Sequence, residues 1–149
     1  MVNEVWDYNY IDLAKTVSKW SKDPSSHIGA VAIGDKGQVL SQGYNGFPRG
    51  IADTPERLNT REEKYKFVVH AEMNVIYNAT LNGVSLNNST LYVTGLPVCS
   101  ECAKGIIQVG VKRVVMFMDK DKDYSKWSES FELTKELFKE AGVVWVWMQ

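Results

Sequence analysis

Apolar positions along this chain follow two different periods, and the switches between them mark its elements. Tyr10, Leu13, Val17 and Trp20 recur at helical spacing, which predicts an amphipathic helix over about 7–21. Lys22-Asp23-Pro24 ends it, because proline disfavours helix in the residue before it. Ile28 to Ile33 and Val39 to Tyr44 are apolar runs joined by Gly34-Asp35-Lys36-Gly37, the signature of a hairpin. The helical period returns at Val69, Met73, Ile76 and Thr80 and stops near Asn82-Gly83. A strand over 90–94 follows, then a helix over 100–109 closed by Gly110. The unbroken apolar run 114–118 predicts a strand covered on both faces. A last helix over 128–141, with Phe131, Leu133, Leu137 and Phe138 available to pack and Gly142 as its stop, precedes a strand over 143–148. Helix, hairpin, then helix–strand repeats predict one α/β domain over 1–149: an α/β/α sandwich whose mixed five-stranded sheet begins antiparallel and continues parallel.

One stretch breaks the pattern. Residues 45–66 hold Gly46, Pro48, Gly50, Pro55 and charges of both signs, with little periodicity. The expectation is a long loop, and loops of that length in a small domain are commonly functional.

Composition narrows the class. With 149 residues, 44% hydrophobic and 23% charged, the chain is long and apolar enough for one buried core. A net charge of −1 gives no basic excess for general nucleic-acid binding, so an anionic ligand needs a locally basic pocket. No apolar run approaches the roughly 20 residues of a membrane span. The first residues lack the basic-then-apolar order of a secretory signal, so a cytoplasmic location is expected.

The soft metal ligands are few: Cys99, Cys102, His27 and His70. His70-Ala71-Glu72 opens one expected helix, and Pro97-Val98-Cys99-Ser100-Glu101-Cys102 opens another. One imidazole and two thiolates make three zinc ligands and leave the fourth position open, as a catalytic zinc requires. Positive partial charge at helix N-termini favours the thiolates. Residues i and i+2 of a helix do not share a face. Glu72 is therefore read as the proton carrier rather than a ligand beside His70. An H-x-E triplet followed by P-C-x-x-C is the mark of zinc-dependent nucleobase deaminases; here Val98 separates the proline from the first cysteine. The chemistry expected is addition of water at C4 of a cytosine ring and departure of ammonia, with Glu72 moving the protons. Other readings of the same residues are a redox Cys-x-x-Cys pair and a closed structural zinc site completed by His27 or a carboxylate.

Beyond the zinc residues, Gly43-Tyr44-Asn45-Gly46-Phe47-Pro48, His70-Ala71-Glu72-Met73-Asn74 and Cys102-Ala103-Lys104 resemble the cytidine and deoxycytidylate deaminase family, and its dCMP-acting branch in particular. The similarity runs from Ser21-Lys22-Asp23-Pro24 to the last strand. It implies a cytidine-deaminase-like fold, one catalytic Zn²⁺ per chain, and conversion of dCMP to dUMP, which supplies thymidylate synthesis. It implies that Asn45 touches sugar or base and that the Ala71 amide holds the pyrimidine carbonyl. Ser26, with Lys120 and Tyr124 of the loop after the fourth strand, would fix the 5′-phosphate. It further implies a homo-oligomer, often a hexamer, activated by dCTP and inhibited by dTTP with Mg²⁺. Gly43, Tyr44, Asn45, Gly46, Arg49, Arg57 and Arg61, with Lys64, are the candidates for holding these effectors, the two glycines by letting backbone approach a phosphate. His27 is expected to be structural.

Competing functions stay within reach of the zinc motif. Free-cytidine deaminases of the superfamily generally carry Cys where this chain has His70. The tRNA adenosine deaminases share His-Ala-Glu, but their basic surface is missing. Guanine and riboflavin-pathway deaminases remain open. A non-catalytic zinc module that binds nucleic acid is the alternative from another class, and it leaves Glu72 without a use.

Overall fold

A computed structural model describes residues 4–149. In chain order the elements are α1 (Glu4–Ser18), β1 (Gly29–Ile33), β2 (Val39–Tyr44), α2 (Pro55–Asn59), α3 (Arg61–Phe67), α4 (Ala71–Leu81), β3 (Thr90–Thr94), α5 (Ser100–Gln108), β4 (Arg113–Phe117), α6 (Ser128–Ala141) and β5 (Val144–Met148). A single 3₁₀ turn, Ser125–Trp127, precedes α6.

The five strands form one sheet in the order β2-β1-β3-β4-β5. β1 pairs antiparallel with both β2 and β3, whereas β3, β4 and β5 run parallel. The hairpin-then-parallel expectation therefore holds. Alternation along the strands divides the core into two layers. Ala30, Ala32, Leu91, Val93, Val114 and Met116 face the layer built with α4, α5 and α6. Val31, Ile33, Tyr92, Val115 and Met148 face Ile11, Ala14 and Val17 of α1. Helices thus cover both faces of the sheet, which is why the central strands read as continuous apolar runs.

Two local expectations change. The buried stripe of α1 is Asp7, Ile11, Ala14 and Val17 rather than one containing Trp20. The helix ends at Ser18, and Trp20 lies beyond it, 51% exposed and edge-on to Tyr44. Two contacts set this outcome. A β-carbon on Gly29 would sit 2.1 Å from the Ala14 carbonyl oxygen, so the missing side chain lets α1 lie directly on β1. Ser21 donates its hydroxyl to the Asn45 carbonyl, which draws the chain out of the helix.

The second change is in 45–66, which is not a plain loop. Thr54 caps α2 by accepting from the Arg57 amide, and Pro55 stands at the first helical turn. Phe67 of α3 packs on Phe47, with the Arg57 guanidinium 4.4 Å above its ring. Two helices of five and seven residues are too short to display a period in sequence. The excursion is closed where it began: Gly46 and Val69 exchange two backbone hydrogen bonds of 3.1 and 2.8 Å.

Candidate active site

That Gly46–Val69 bridge places the residue before His70 at the end of β2. Asn74 adds a bond from its side-chain amide to the Tyr44 carbonyl, 2.7 Å. α4 is therefore moored at its first turns, and His70 is its N-cap. The His70 side chain makes no capping bond, which leaves the imidazole free for other partners. Cys99 is the N-cap of α5, and its sulfur accepts from the Cys102 amide at 3.4 Å. Val98, the extra residue between Pro97 and Cys99, is fully buried, and its carbonyl accepts from Thr134 of α6 at 2.9 Å. Ser130 holds the Ser100 amide in the same way at 2.9 Å. The insertion is thus absorbed into the core and tied to α6, with the spacing of the thiols intact.

Two helix N-termini converge as a result. His70 Nδ1 lies 3.4 Å from Cys99 Sγ and 3.4 Å from Cys102 Sγ. Ligand atoms of the three residues all fall within 4.8 Å of one another, and no fourth His, Cys, Asp or Glu joins them among the described residues. This set fits zinc: one imidazole nitrogen and two sulfurs, grouped, with room for one further ligand. His27 is not part of it; it is exposed and borders a different cavity, which excludes it as the fourth ligand of a closed site.

The titration behaviour of the group follows from its contacts. The neighbouring Cys102 thiol, reinforced by His70 and the α5 amide, holds the Cys99 thiol below its ordinary range against the effect of burial. Cys102, the other member of the pair and itself buried, is pushed up. The bond to Cys99 raises His70; burial opposes this, and the charge of Glu72 supports it. The three residues hold shared protons that a cation would displace. Glu72 stands apart from the ligands. It is 4% exposed, and burial pushes its carboxyl up to about 7 although the charge of His70 pulls the other way. A carboxyl that titrates near neutrality can both accept and return a proton.

Glu72, His70 and Cys99 line one cavity of about 520 Å³ together with Ser26, Asn45, Arg61, Lys64, Lys126 and Trp127. The sequence-derived residues divide around it. Ser26 and Asn45 are present, but the Asn45 carboxamide is also a clamp: its oxygen accepts from the Ile28 amide at 3.0 Å and its nitrogen donates to the Ser26 carbonyl at 2.9 Å. Ala71 is fully buried at the start of α4. Lys120 and Tyr124 border a second cavity with His27 and Lys15, not the one holding the zinc ligands. Tyr124 turns its hydroxyl to the Asp119 amide, 3.0 Å away, and rests its ring edge-on against Trp147. The cation and aromatic that do reach the cavity come from slightly further on, Lys126 and Trp127 of the 3₁₀ turn. A Lys-Trp pair just before a predicted helix was the only available signal for them.

The effector candidates scatter more widely. Arg61 and Lys64 line the zinc-ligand cavity. Arg49 donates to the Asn78 side chain at 2.5 Å, and Arg57 to the Ala52 carbonyl at 3.0 Å. Tyr44 packs on Trp20. Gly46 is committed to the Val69 bridge. Gly43 is buried under α4 and has no open side from which a phosphate could approach.

Residues 4–118 match the family model for the cytidine and deoxycytidylate deaminase zinc-binding region. Deoxycytidylate deaminase of Mus musculus is 38% identical over 143 residues, covering 93% of this chain and 76% of that protein. An uncharacterized deaminase in the luxG 3′ region of Aliivibrio fischeri is 35% identical, covering 96% and 93% respectively. Among solved structures, the dCMP deaminase of cyanophage S-TIM5 in complex with dCMP and dUMP superposes with a TM-score of 0.77 over 99% of both chains, at 25% identity.

Proposed function

The chain is a deaminase of the cytidine and deoxycytidylate deaminase family, and from that premise we propose that it converts dCMP to dUMP and ammonia. The observation that carries this reading is one cavity lined by His70 and Cys99 of a zinc-type cluster that Cys102 completes, by the buried carboxyl of Glu72 and by two cations outside any ion pair among the described residues, Arg61 and Lys126. His70, Cys99 and Cys102 would hold the zinc, which when bound supplies Lewis-acid activation of a water molecule.

The remaining work belongs to the chain. Glu72 takes a proton from the attacking water as its oxygen bonds to C4 of the cytosine. The same carboxyl delivers that proton to N3, then takes the proton of the new C4 hydroxyl and passes it to the departing amine, so that the C4–N bond breaks, ammonia leaves and a carbonyl remains. A carboxyl poised near neutrality suits both directions of transfer. Trp127 offers a flat apolar face for the ring, and the Ala71 amide at the head of α4 a donor for the pyrimidine carbonyl. The 5′-phosphate is assigned to Ser26, Arg61 and Lys126, in place of Lys120 and Tyr124. Product dUMP would feed thymidylate synthesis in the cytoplasm; no helix among the described residues is long and apolar enough to cross a membrane.

Regulation is part of the proposal. The excursion 45–69 ends at the residue before His70, so an effector that binds one seating of it better than another would shift the site. The expected effectors are dCTP as activator and dTTP with Mg²⁺ as inhibitor, acting on a homo-oligomer, expected to be a hexamer.

Ammonia release from dCMP, deoxycytidine, cytidine, guanine and a tRNA anticodon stem tests the substrate. A kcat/KM for dCMP well above that for deoxycytidine is expected, and equal values refute the assignment. Adding the two triphosphates to the dCMP assay tests regulation. Sigmoidal kinetics should become hyperbolic with dCTP and be suppressed by dTTP, and indifference to both refutes it.

A further inference from the structure

The wall of the zinc-ligand cavity contains an ion pair taken out of water. Lys64 Nζ lies 3.2 Å from Asp23 Oδ1, with the two side chains only 10% and 9% exposed. A pair this buried needs a reason, because desolvating both charges offsets most of their attraction. Asp23 has one. The same Oδ1 accepts from the Ser25 amide at 2.8 Å and the Ser26 amide at 3.0 Å, which folds the turn that presents Ser26 to the cavity. Ser21 in turn holds the Asp23 amide, and Asn45 holds the Ser26 carbonyl. The turn thus depends on an acceptor at position 23, and that acceptor puts a negative charge into the wall of a cavity proposed to receive a phosphate.

We infer that Lys64 is a specificity-determining positioning residue: its ammonium cancels the Asp23 charge so that the Ser25–Ser26 turn can be built from a carboxylate without repelling an anionic substrate. The charge balance of the wall supports this. Asp23 and Glu72 are its two carboxyls, and Arg61, Lys64 and Lys126 its cations. Arg61 and Lys126 have no carboxylate within ion-pair distance among the described residues. With Asp23 masked, these two line the cavity without an ion-pair partner. Lys64 also comes from α3, so the pair adds to the Asn45 and Lys22–Asp53 contacts that tie the 45–69 excursion to the 21–28 rim of the cavity.

The inference rests on a nucleotide monophosphate being the substrate, and the test separates the two. KM and kcat for dCMP and for deoxycytidine, and the affinity for dUMP by calorimetry, are measured for wild type, Lys64→Met, Asp23→Asn and the double variant. Methionine keeps the length of the stem, and asparagine keeps an acceptor for the two serine amides. Lys64→Met exposes the carboxylate and should raise KM for dCMP by about tenfold or more, with a smaller change in kcat. Its preference for dCMP over deoxycytidine should fall accordingly. Asp23→Asn should show a KM for dCMP no higher than wild type, and the double variant should recover most of the loss. A pair that merely holds the fold predicts otherwise: both single variants are impaired alike, on nucleoside and nucleotide alike, with no recovery. That pattern, or an unchanged KM in Lys64→Met, overturns the inference. If Lys64→Met does not fold by circular dichroism, Asp23→Asn decides: dUMP binding at or above wild-type affinity supports the masking role, and weaker binding refutes it. Wild type that binds dUMP with this ordering but releases no ammonia from dCMP sinks the substrate reading alone. Wild type that does neither sinks both.

Discussion

The carbonyl oxygen of Ala71 lies 2.6 Å from where a β-carbon on Gly43 would be. The Val75 amide is equally close, so the backbone of α4 rests directly on the backbone of β2 at this point. α4 carries His70 at its cap and Glu72 in its first turn, which makes the contact a datum for the site. Gly43→Ala is expected to lower stability by about 1–3 kcal/mol through overpacking. It should also weaken metal retention, because α4 must move to admit the methyl group. Urea unfolding and metal content of the purified variant check this; a fully stable, metal-replete variant would show that the two elements separate freely.

Purified protein should contain close to one zinc per chain, since His70, Cys99 and Cys102 form the one such cluster among the described residues. Cys102→Ser should lose most of it and unfold at lower temperature, because the ligands join α4 to α5. Zinc affinity should also fall as pH drops, because the ligands must give up their protons to bind. Titration with a chromophoric chelator at several pH values measures the trend, and affinity independent of pH would contradict a thiolate site.

Glu72→Gln should retain zinc and fold yet lose at least ~10²-fold in kcat, since an amide of the same shape carries no proton. The substitution also removes a carboxyl that burial holds up to about 7, so the variant should be no less stable than wild type near neutral pH. Thermal melting together with steady-state kinetics tests both halves. Wild-type turnover in Glu72→Gln would reduce Glu72 to a structural residue.

At the opposite end of the sheet, Asp7 accepts from both terminal Arg113 nitrogens, at 3.0 and 2.7 Å, and from the Tyr92 hydroxyl at 2.6 Å. Burial pushes the Asp7 carboxyl up, but these bonds and the Arg113 charge outweigh it and hold it below the ordinary value of 3.8. A carboxylate depressed by folding contributes stability above its unfolded pKa, and that contribution is lost as pH falls through the lower folded value. Asp7→Ala should therefore cost about 2 kcal/mol at neutral pH, because it leaves the half-buried Arg113 without a counter-charge. The gap from wild type should narrow as the pH is taken below about 4. Denaturant unfolding from neutral to acid pH follows it; a gap that stays constant would show that the pair acts through packing alone.

What the sequence determined by itself was whatever depends on neighbours along the chain. The strand runs, the helix stops at Gly83, Gly110 and Gly142, and the parallel half of the sheet were legible because burial on one or both faces writes a period into consecutive residues. The grouping of His70 with Cys99 and Cys102, and the place of Glu72 beside it, were legible for a related reason: each pair sits within one helical turn, so its spacing is fixed before any tertiary contact forms. Tertiary structure alone decided the rest. Residues 55–67 became two short helices because Phe47 and Arg57 pack on Phe67, a contact no short period reveals. The buried stripe of α1 turned away from Trp20 because Gly29 admits Ala14 so closely. Lys64 and Lys126 reached the cavity while Lys120 did not, because a lysine's place is set by which loop lies across the C-terminal ends of the strands rather than by its neighbours in sequence. Periodicity records what a residue is buried against, and a cavity is built from the residues that are not.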